Sequence, residues 1–292
     1  MTVPAPIVVP GIIFRRDPVA SEVPLVFDSP HSGTEYPADF DYACPLDILR
    51  TNEDTHIDDL YGGAPEHGAT LLGALFPRSY LDVNRDVGDI DETLLDAPWP
   101  HKLNPGEKTR LGMGLVRRFT KPNLPVYARK LSVAEMERRI ERCYRPYHAA
   151  LQGICDRLHG KFGAVWLINC HSMPARGNAM SSDGPNALRA DFVLGDRDGT
   201  TCTPELTDFV TRLLVGRGYS VKVNDPYKGV EIVRRHGIPA QGRHALQIEI
   251  NRTLYMDENT LAPNDHYPTL KADLDHLIAG LASITGATRV QE

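Results

Sequence analysis

No apolar run in this 292-residue chain approaches the roughly 20 residues that span a bilayer. Its first residues also lack a basic segment followed by an apolar one. No membrane partner is therefore expected, and the expected address is cytoplasmic. Cysteine is scarce. Cys44, Cys143, Cys155, Cys170 and Cys202 form an odd, scattered set without a CxxC pair, which excludes a disulfide framework and suits free buried thiols in a reducing compartment. Positive charge is not in excess either: 32 Lys and Arg stand against 38 Asp and Glu, for a net charge of −6. No nucleic-acid partner is expected on that balance. There is no P-loop, no GxGxxG after a strand, no GxSxG elbow and no HExxH, so phosphate cradles, nucleophilic serines and one-helix zinc sites are set aside. No internal repeat, low-complexity segment or linker divides the chain, and it is read as one α/β domain over 1–292.

What is present alternates between short apolar runs and helical patterns, which predicts a central mixed, largely parallel sheet flanked by helices. Strands are expected over Val23–Asp28, Thr70–Phe76, Tyr80–Val83, Ala164–Cys170, Asp191–Leu194, Tyr219–Val223 and Ala245–Ile250. A helix is expected over Leu46–Tyr61, ended by Gly62 and Gly63. Ser132 and Glu135 have capping-box spacing at the start of a helix running to Leu158, with a break or kink at Pro146. Thr203 caps a further helix to Val215, and the last helix spans Pro268–Ile284. From about Val87 to Pro125 the chain is rich in Gly, Pro and Asp without periodicity. A stretch of that length usually has a function of its own.

Three apolar strands end in polar chemistry. The first runs into Asp28-Ser-Pro-His31-Ser-Gly33, the second into Asn169-Cys-His171-Ser172, and the third contains Glu249 between Ile248 and Ile250, followed by Asn251-Arg252. Ligands of open α/β sheets bind beyond the carboxyl ends of strands. Two histidines and a carboxylate at one rim are the parts of a catalytic zinc site with an open position for water. A strand-end histidine is commonly just a hydrogen-bonded loop residue, but the small neighbours here leave room for a metal and a substrate. An acid on an apolar strand is costly unless paired or functional; the plain alternative for Glu249 is an ion pair with Arg252 or another arginine. Cys170, inside the apolar run, reads as a packed core thiol rather than a nucleophile. The cluster Glu53-Asp54-Thr-His56-Ile-Asp58-Asp59 is dense in possible ligands, yet acids are also favoured near helix N-termini. Spacing does not choose between Glu53, Asp54 and His56. Asn84-Arg85, closing another strand, can grip a carboxylate through charge-assisted hydrogen bonds, or Arg85 can pair with Asp82, Asp86 or Asp89.

Taken together, Ser29-Pro-His31-Ser-Gly33-Thr-Glu-Tyr-Pro37, Asp54-Thr-His-Ile-Asp-Asp-Leu60, Asp82-Val-Asn-Arg-Asp86, Asn169-Cys-His171-Ser-Met173 and Gln247-Ile-Glu249-Ile-Asn-Arg252 with Tyr255-Met-Asp-Glu258 resemble the N-formylglutamate amidohydrolase family. These segments fall in order across roughly residues 25–260, and five in order are specific. The family is distantly similar to zinc carboxypeptidases and aspartoacylases, which implies a phosphorylase/hydrolase-like fold. The resemblance further implies zinc, or another divalent transition metal, held by His31, Asp54 and His171. It makes Glu249 the general base for a metal-activated water, and Asn84 and Arg85 the grip on a substrate carboxylate. Arg176 and Arg252 are further candidates for substrate anions. The implied reaction, a step in histidine degradation, is hydrolysis of N-formyl-L-glutamate, or a similar acidic N-acyl amino acid, to formate and L-glutamate. Its alternatives are a related amidase or carboxypeptidase acting on another acyl group or short peptide, and a non-catalytic zinc- or ligand-binding protein of this fold. The sequence departs from the family pattern at Val230, where a second glycine is usual after Gly229, and between Asn178 and Arg189; both bear on specificity.

Overall fold

Runs of aliphatic residues bounded by Gly, Pro and polar residues become strands where both faces can be covered. The computed structural model describes residues 7–287. Its strands are β1 (Ile7–Val9), β2 (Ile13–Arg16), β3 (Leu25–Ser29), β4 (Thr70–Ala74), β5 (Phe119–Lys121), β6 (Leu124–Pro125), β7 (Val165–Met173), β8 (Phe192–Gly195), β9 (Val221–Val223) and β10 (Arg243–Asn251). Apart from the β5–β6 pair, they form one sheet in the order β1-β2-β4-β3-β7-β10-β8-β9. Its centre, β4-β3-β7-β10, is parallel throughout, and antiparallel contacts join β2 to β4 and β8 to β10. The chain is thus an α/β protein with a mixed, mostly parallel sheet, as expected.

Side chains alternate across a sheet with period 2, and that alternation sorts the core into two layers. Val26, Leu72, Leu167 and Ala245 pack with Tyr147, Leu151 and Ile154 of the helix Arg145–Phe162. Leu25, Phe27, Ile168, Cys170, Leu246 and Ile248 face the helices Pro204–Gly216 and Tyr267–Gly286. Each fully buried aliphatic side chain contributes about 1.5–3 kcal/mol of apolar burial. Cys170 belongs to the second layer, its thiol donating to the Ile168 carbonyl at 3.4 Å. Burial pushes that thiol well above its ordinary pKa, so it is a core residue and not a thiolate. By the same parity Asp28, Asn169, His171, Gln247 and Glu249 share the first face. The register aligns Asp28 with Asn169, Asn169 with Gln247, and His171 with Glu249.

The observed helices agree with the pattern in most places. Ser132 and Glu135 form the capping box, and a π turn over Ile140–Tyr144 joins Val133–Arg139 to Arg145–Phe162. The widened turn lies immediately before Pro146, which cannot donate within a helix. Two expectations are corrected. The helix over Leu46–Tyr61 is two short pieces, Leu46–Arg50 and Ile57–Leu60. Between them the Asp54 amide donates to the His31 carbonyl at 3.0 Å, and His56 takes a left-handed φ of 69°. A tertiary contact overrides the local helical pattern. Tyr80–Val83 is not a strand: Tyr80 turns back onto Pro77, and Asp82 donates to the Leu115 carbonyl at 2.8 Å. The sequence pattern also missed β1 and β2, which extend the sheet beyond β4.

Candidate metal and substrate site

His31, just beyond the carboxyl end of β3, and His171, near the carboxyl end of β7, meet Asp54, which lies between the two short helices. All three are buried, at 1%, 2% and 1% exposure. His31 Nδ1 lies 3.3 Å and His171 Nδ1 3.0 Å from the same oxygen, Asp54 Oδ2, and one donor atom from each residue lies within 4.8 Å of the others. Gly33 lets the loop after β3 pass against the backbone that follows β4, because a Cβ there would lie 2.4 Å from the Leu75 carbonyl carbon. Among the earlier alternatives, Glu53 instead accepts from Tyr36 and Arg50. His56 Nε2 turns to the Leu261 carbonyl at 2.9 Å. The structure therefore gathers Asp54, not Glu53 or His56, with the two imidazoles.

The opposite ring nitrogens are committed too. His31 Nε2 donates to Asp82 Oδ1 at 2.7 Å, and Asp82 is paired with Arg78 at 2.8 Å. Against burial, which raises it, the charge of Arg78 and the His31 hydrogen bond hold Asp82 well below the usual carboxylate pKa. An ionised carboxylate only accepts, so Nε2 of His31 carries the hydrogen. His171 Nε2 lies 2.8 Å from Asn169 Oδ1. That amide is oriented by its nitrogen, which donates to Asp28 Oδ1 at 3.0 Å. Asn84 Nδ2 also stands 3.0 Å from His171 Nε2, while Asn84 Oδ1 accepts from the Ile232 amide at 2.9 Å. In the tautomer that gives the Nε2 hydrogens to Asp82 and to Asn169 Oδ1, each Nδ1 turns a lone pair to a carboxylate oxygen. Lone pairs facing a carboxylate suit a divalent cation, and two nitrogens with one carboxylate oxygen suit zinc or a neighbouring transition ion.

Asp54 is held from behind as well. Its Oδ1 accepts from Arg252 Nη2 at 3.1 Å and lies 3.6 Å from Arg78 Nη1. Against burial, its close contacts with the His171 and His31 rings and the charge of Arg78 hold Asp54 well below the ordinary carboxylate pKa. Burial likewise lowers the pKa of His171. The remaining Arg252 donors go to Ser172 Oγ at 3.1 Å and to the Thr51 and Glu53 carbonyls at 2.8 and 2.6 Å.

Glu249 stands beside His171 on the adjoining strand, accepting from Gln247 Nε2 at 3.0 Å. It makes no ion pair among the described residues. Burial pushes its pKa up to about 7, Asp54 adds to the rise, and His171, Arg78 and Arg252 oppose it. A carboxyl group poised there suits general base work near neutral pH. Arg85 pairs with none of its neighbouring aspartates; its Nε donates to the Met113 carbonyl at 3.1 Å. Arg176 is exposed and donates to the Asn186 carbonyl at 3.2 Å.

The structure thus directs Asn84 and Arg252 onto the ligand cluster, leaves Arg85 without a carboxylate, and sets Arg176 on the surface. Sequence reasoning singled out neither Arg78 nor Asp82 as a site residue, and it gave Asn169 no role. Asn169 was discoverable: it lies two residues before His171, hence on the same face of a strand.

Comparisons with known proteins bear on the family and the fold. The family model described as N-formylglutamate amidohydrolase matches residues 23–256. The chain is 30% identical over 248 residues to the N-formylglutamate deformylase of Pseudomonas putida, covering 81% of this chain and 83% of that protein. It is 30% identical over 245 residues, with the same coverage, to the N-formylglutamate deformylase of Pseudomonas aeruginosa. The crystal structure of N-formylglutamate amidohydrolase from Ralstonia eutropha JMP134 is similar with a TM-score of 0.89 and 49% identity, over 94% of this chain and 98% of that one. A gene product of Agrobacterium tumefaciens, at 18% identity and a TM-score of 0.62 over 94% of this chain and 96% of that one, shares the fold.

Proposed function

The chain belongs to the N-formylglutamate amidohydrolase family, and from that premise we propose that it hydrolyses N-formyl-L-glutamate, or a closely similar acidic N-acyl amino acid, with a bound divalent metal. One observation carries the reading: a buried His-Asp-His cluster with oriented ring nitrogens lies next to an unpaired carboxyl group on the adjoining strand. His31 Nδ1, Asp54 Oδ2 and His171 Nδ1 would hold the ion. Zinc bound there supplies Lewis acidity and lowers the pKa of water towards about 7.

The chain's own residues do the rest. Glu249 accepts a proton from the attacking water, which adds to the formyl carbon. It then delivers that proton to the amide nitrogen as the C–N bond breaks, releasing formate and the amino group of glutamate. Its pKa near 7 serves both transfers. Arg85, whose guanidinium among the described residues donates only to the Met113 carbonyl, orients a substrate carboxylate so that the acyl carbon meets the water. Asp82 and Asn169 orient the rings, Asn84 Nδ2 donates to the Asn169 oxygen at 3.4 Å, and Arg252 fixes Asp54.

Metal content and turnover of N-formyl-L-glutamate, measured on wild type and Glu249→Gln, test this directly. We expect about one metal ion per chain in both proteins and a fall in kcat of about 10²–10⁴-fold in the variant, the range for loss of a general base. A metal-free wild type with full activity, or a variant with undiminished turnover, would overturn the mechanism.

A further inference from the structure

The segment from Val87 to Pro125 supplies no ligand to the His-Asp-His cluster, yet it carries an unmet charge. Arg117 is only 7% exposed, and its Nε is buried without a hydrogen-bond partner. Among the described residues its guanidinium takes part in no hydrogen bond or ion pair. A buried cation without an anion is costly, and one that persists calls for an explanation beyond packing.

Backbone geometry gathers two more cations about the same point. Met113 bridges Arg117 across a tight hairpin. Its carbonyl accepts from Arg85 Nε at 3.1 Å, and its amide donates to the Lys108 carbonyl at 2.8 Å. One residue thus ties together the backbones of Lys108 and Arg117 and the side chain of Arg85, and none of the three cations has a carboxylate partner. Asp89 pins the segment, accepting from the Gly106 amide at 2.8 Å and from the Thr109 hydroxyl. The hairpin also docks on the metal side, through Leu115, whose carbonyl accepts from the amide of Asp82 at 2.8 Å. Asp82 is the residue that orients His31. The crowding shifts both groups: burial, with the charges of Arg85 and Arg117, pushes Lys108 down to about 8. Burial, Arg78 and Arg85 push Arg117 down to about 9 against the attraction of Asp82 and Asp54, neither of which forms an ion pair with it. Both remain cations at neutral pH.

We propose that Arg117 and Lys108 form a second carboxylate subsite beside Arg85, so that the pocket takes a dianionic N-acyl amino acid with one carboxylate on Arg85 and the other on Arg117 and Lys108. This inference rests on the proposed reaction and deepens it by naming what selects the acidic side chain. A neutral side chain would leave Arg117 desolvated and unpaired, so discrimination comes from the penalty on the wrong substrate as much as from attraction to the right one.

The test uses the metal-loaded enzyme with glutarate as the dianion probe, and compares wild type, Arg117→Gln and Lys108→Gln. Calorimetric titration should show glutarate affinity falling about 10-fold or more in Arg117→Gln, as expected for loss of a charge-assisted pair, and by a smaller factor in Lys108→Gln. KM for N-formyl-L-glutamate should rise in step, and by at least about 10-fold more than KM for N-formyl-L-glutamine. The thermal midpoint of ligand-free Arg117→Gln should not fall, since the substitution removes an uncompensated buried charge; a merely structural arginine would lower it. Lys108 is only half-buried, so its variant keeps the test open should Arg117→Gln fold poorly. Equal glutarate affinity in all three proteins, or equal KM changes for the two substrates, would overturn the proposal. If wild type binds glutarate through Arg117 but does not hydrolyse N-formyl-L-glutamate, the proposed reaction fails and the subsite stands.

Discussion

The histidine cluster and the Met113 hairpin lie on either side of Asp82, and they solve opposite electrostatic problems. At the cluster, Asp54, Asp82 and Asn169 surround two imidazoles with acceptors, and both outer ring nitrogens are fixed. Lone pairs converge there, which suits a cation. At the hairpin, Arg85, Lys108 and Arg117 converge without a carboxylate among them, which suits an anion. The first region is preorganised by hydrogen bonds to every ring. The second is preorganised by the backbone contacts of Met113 and by Asp89, and leaves the heads of Lys108 and Arg117 to whatever binds. Metal affinity is expected to depend on the first region and substrate choice on the second, so each can be perturbed without the other.

The largest effect should come from His171→Ala. It removes a ligand and opens a hole beside Asp54, so metal content should drop and turnover should fall at least about 1,000-fold, more than loss of a well-placed base commonly costs. Added imidazole, which can enter the space vacated, should restore part of both. Retained metal with lost activity would move His171 from ligand to catalyst and erase the contrast between the two regions.

Arg252→Lys should give an intermediate effect, and it decides to which region Arg252 belongs. The sequence resemblance makes Arg252 a candidate for the substrate anion, whereas the structure spends its donors on Asp54, Ser172 and the Thr51 and Glu53 carbonyls. A lysine cannot reproduce that fork. Metal affinity should therefore fall about 10–100-fold, the usual effect of removing support behind a ligand, with KM rising no more for N-formyl-L-glutamate than for N-formyl-L-glutamine. Unchanged metal affinity with a selective loss on the dianion would return Arg252 to the substrate side.

How much of this is legible in the sequence follows the same division. The α/β alternation can be read because strands buried on both faces are short continuous apolar runs, as at Val165 to Ile168. His31, His171 and Glu249 can be read because each interrupts or ends such a run. Asp54 cannot be chosen over Glu53 or His56 by spacing, since the choice is made by a tertiary bond to the His31 carbonyl that breaks a helical pattern. β1 and β2 escape because short strands at a sheet edge carry little periodicity. Arg117 is the least legible of all. It lies in a stretch without period, next to Arg118, and what marks it is the absence of a partner, a property of three-dimensional surroundings. Arg118, its neighbour, pairs with Asp91 at 2.9 Å, and nothing in the two residues' sequence context separates them.

The smallest effect concerns the support behind the cluster. Asp28 is wholly buried, accepts from Asn169 Nδ2 and from the Tyr147 hydroxyl, each at 3.0 Å, and so holds the amide that orients His171. Burial raises its pKa to about 7 although both hydrogen bonds oppose the shift. The sign follows from linkage. A carboxyl group with a folded pKa above its unfolded value favours the fold while protonated, and that contribution is lost as pH rises from about 4 to about 7. Asp28→Asn keeps the shape and the acceptor for Asn169, while its amide nitrogen donates to the Tyr147 oxygen, which can reverse its role. The variant should therefore gain stability relative to wild type as pH rises through that window, by up to a few kcal/mol, while metal content stays near one per chain. Thermal midpoints of both proteins at several pH values between 4 and 8 check this. A difference that does not grow with pH would mean that Asp28 is ionised in the fold throughout, and that Asn169 is held by a charge.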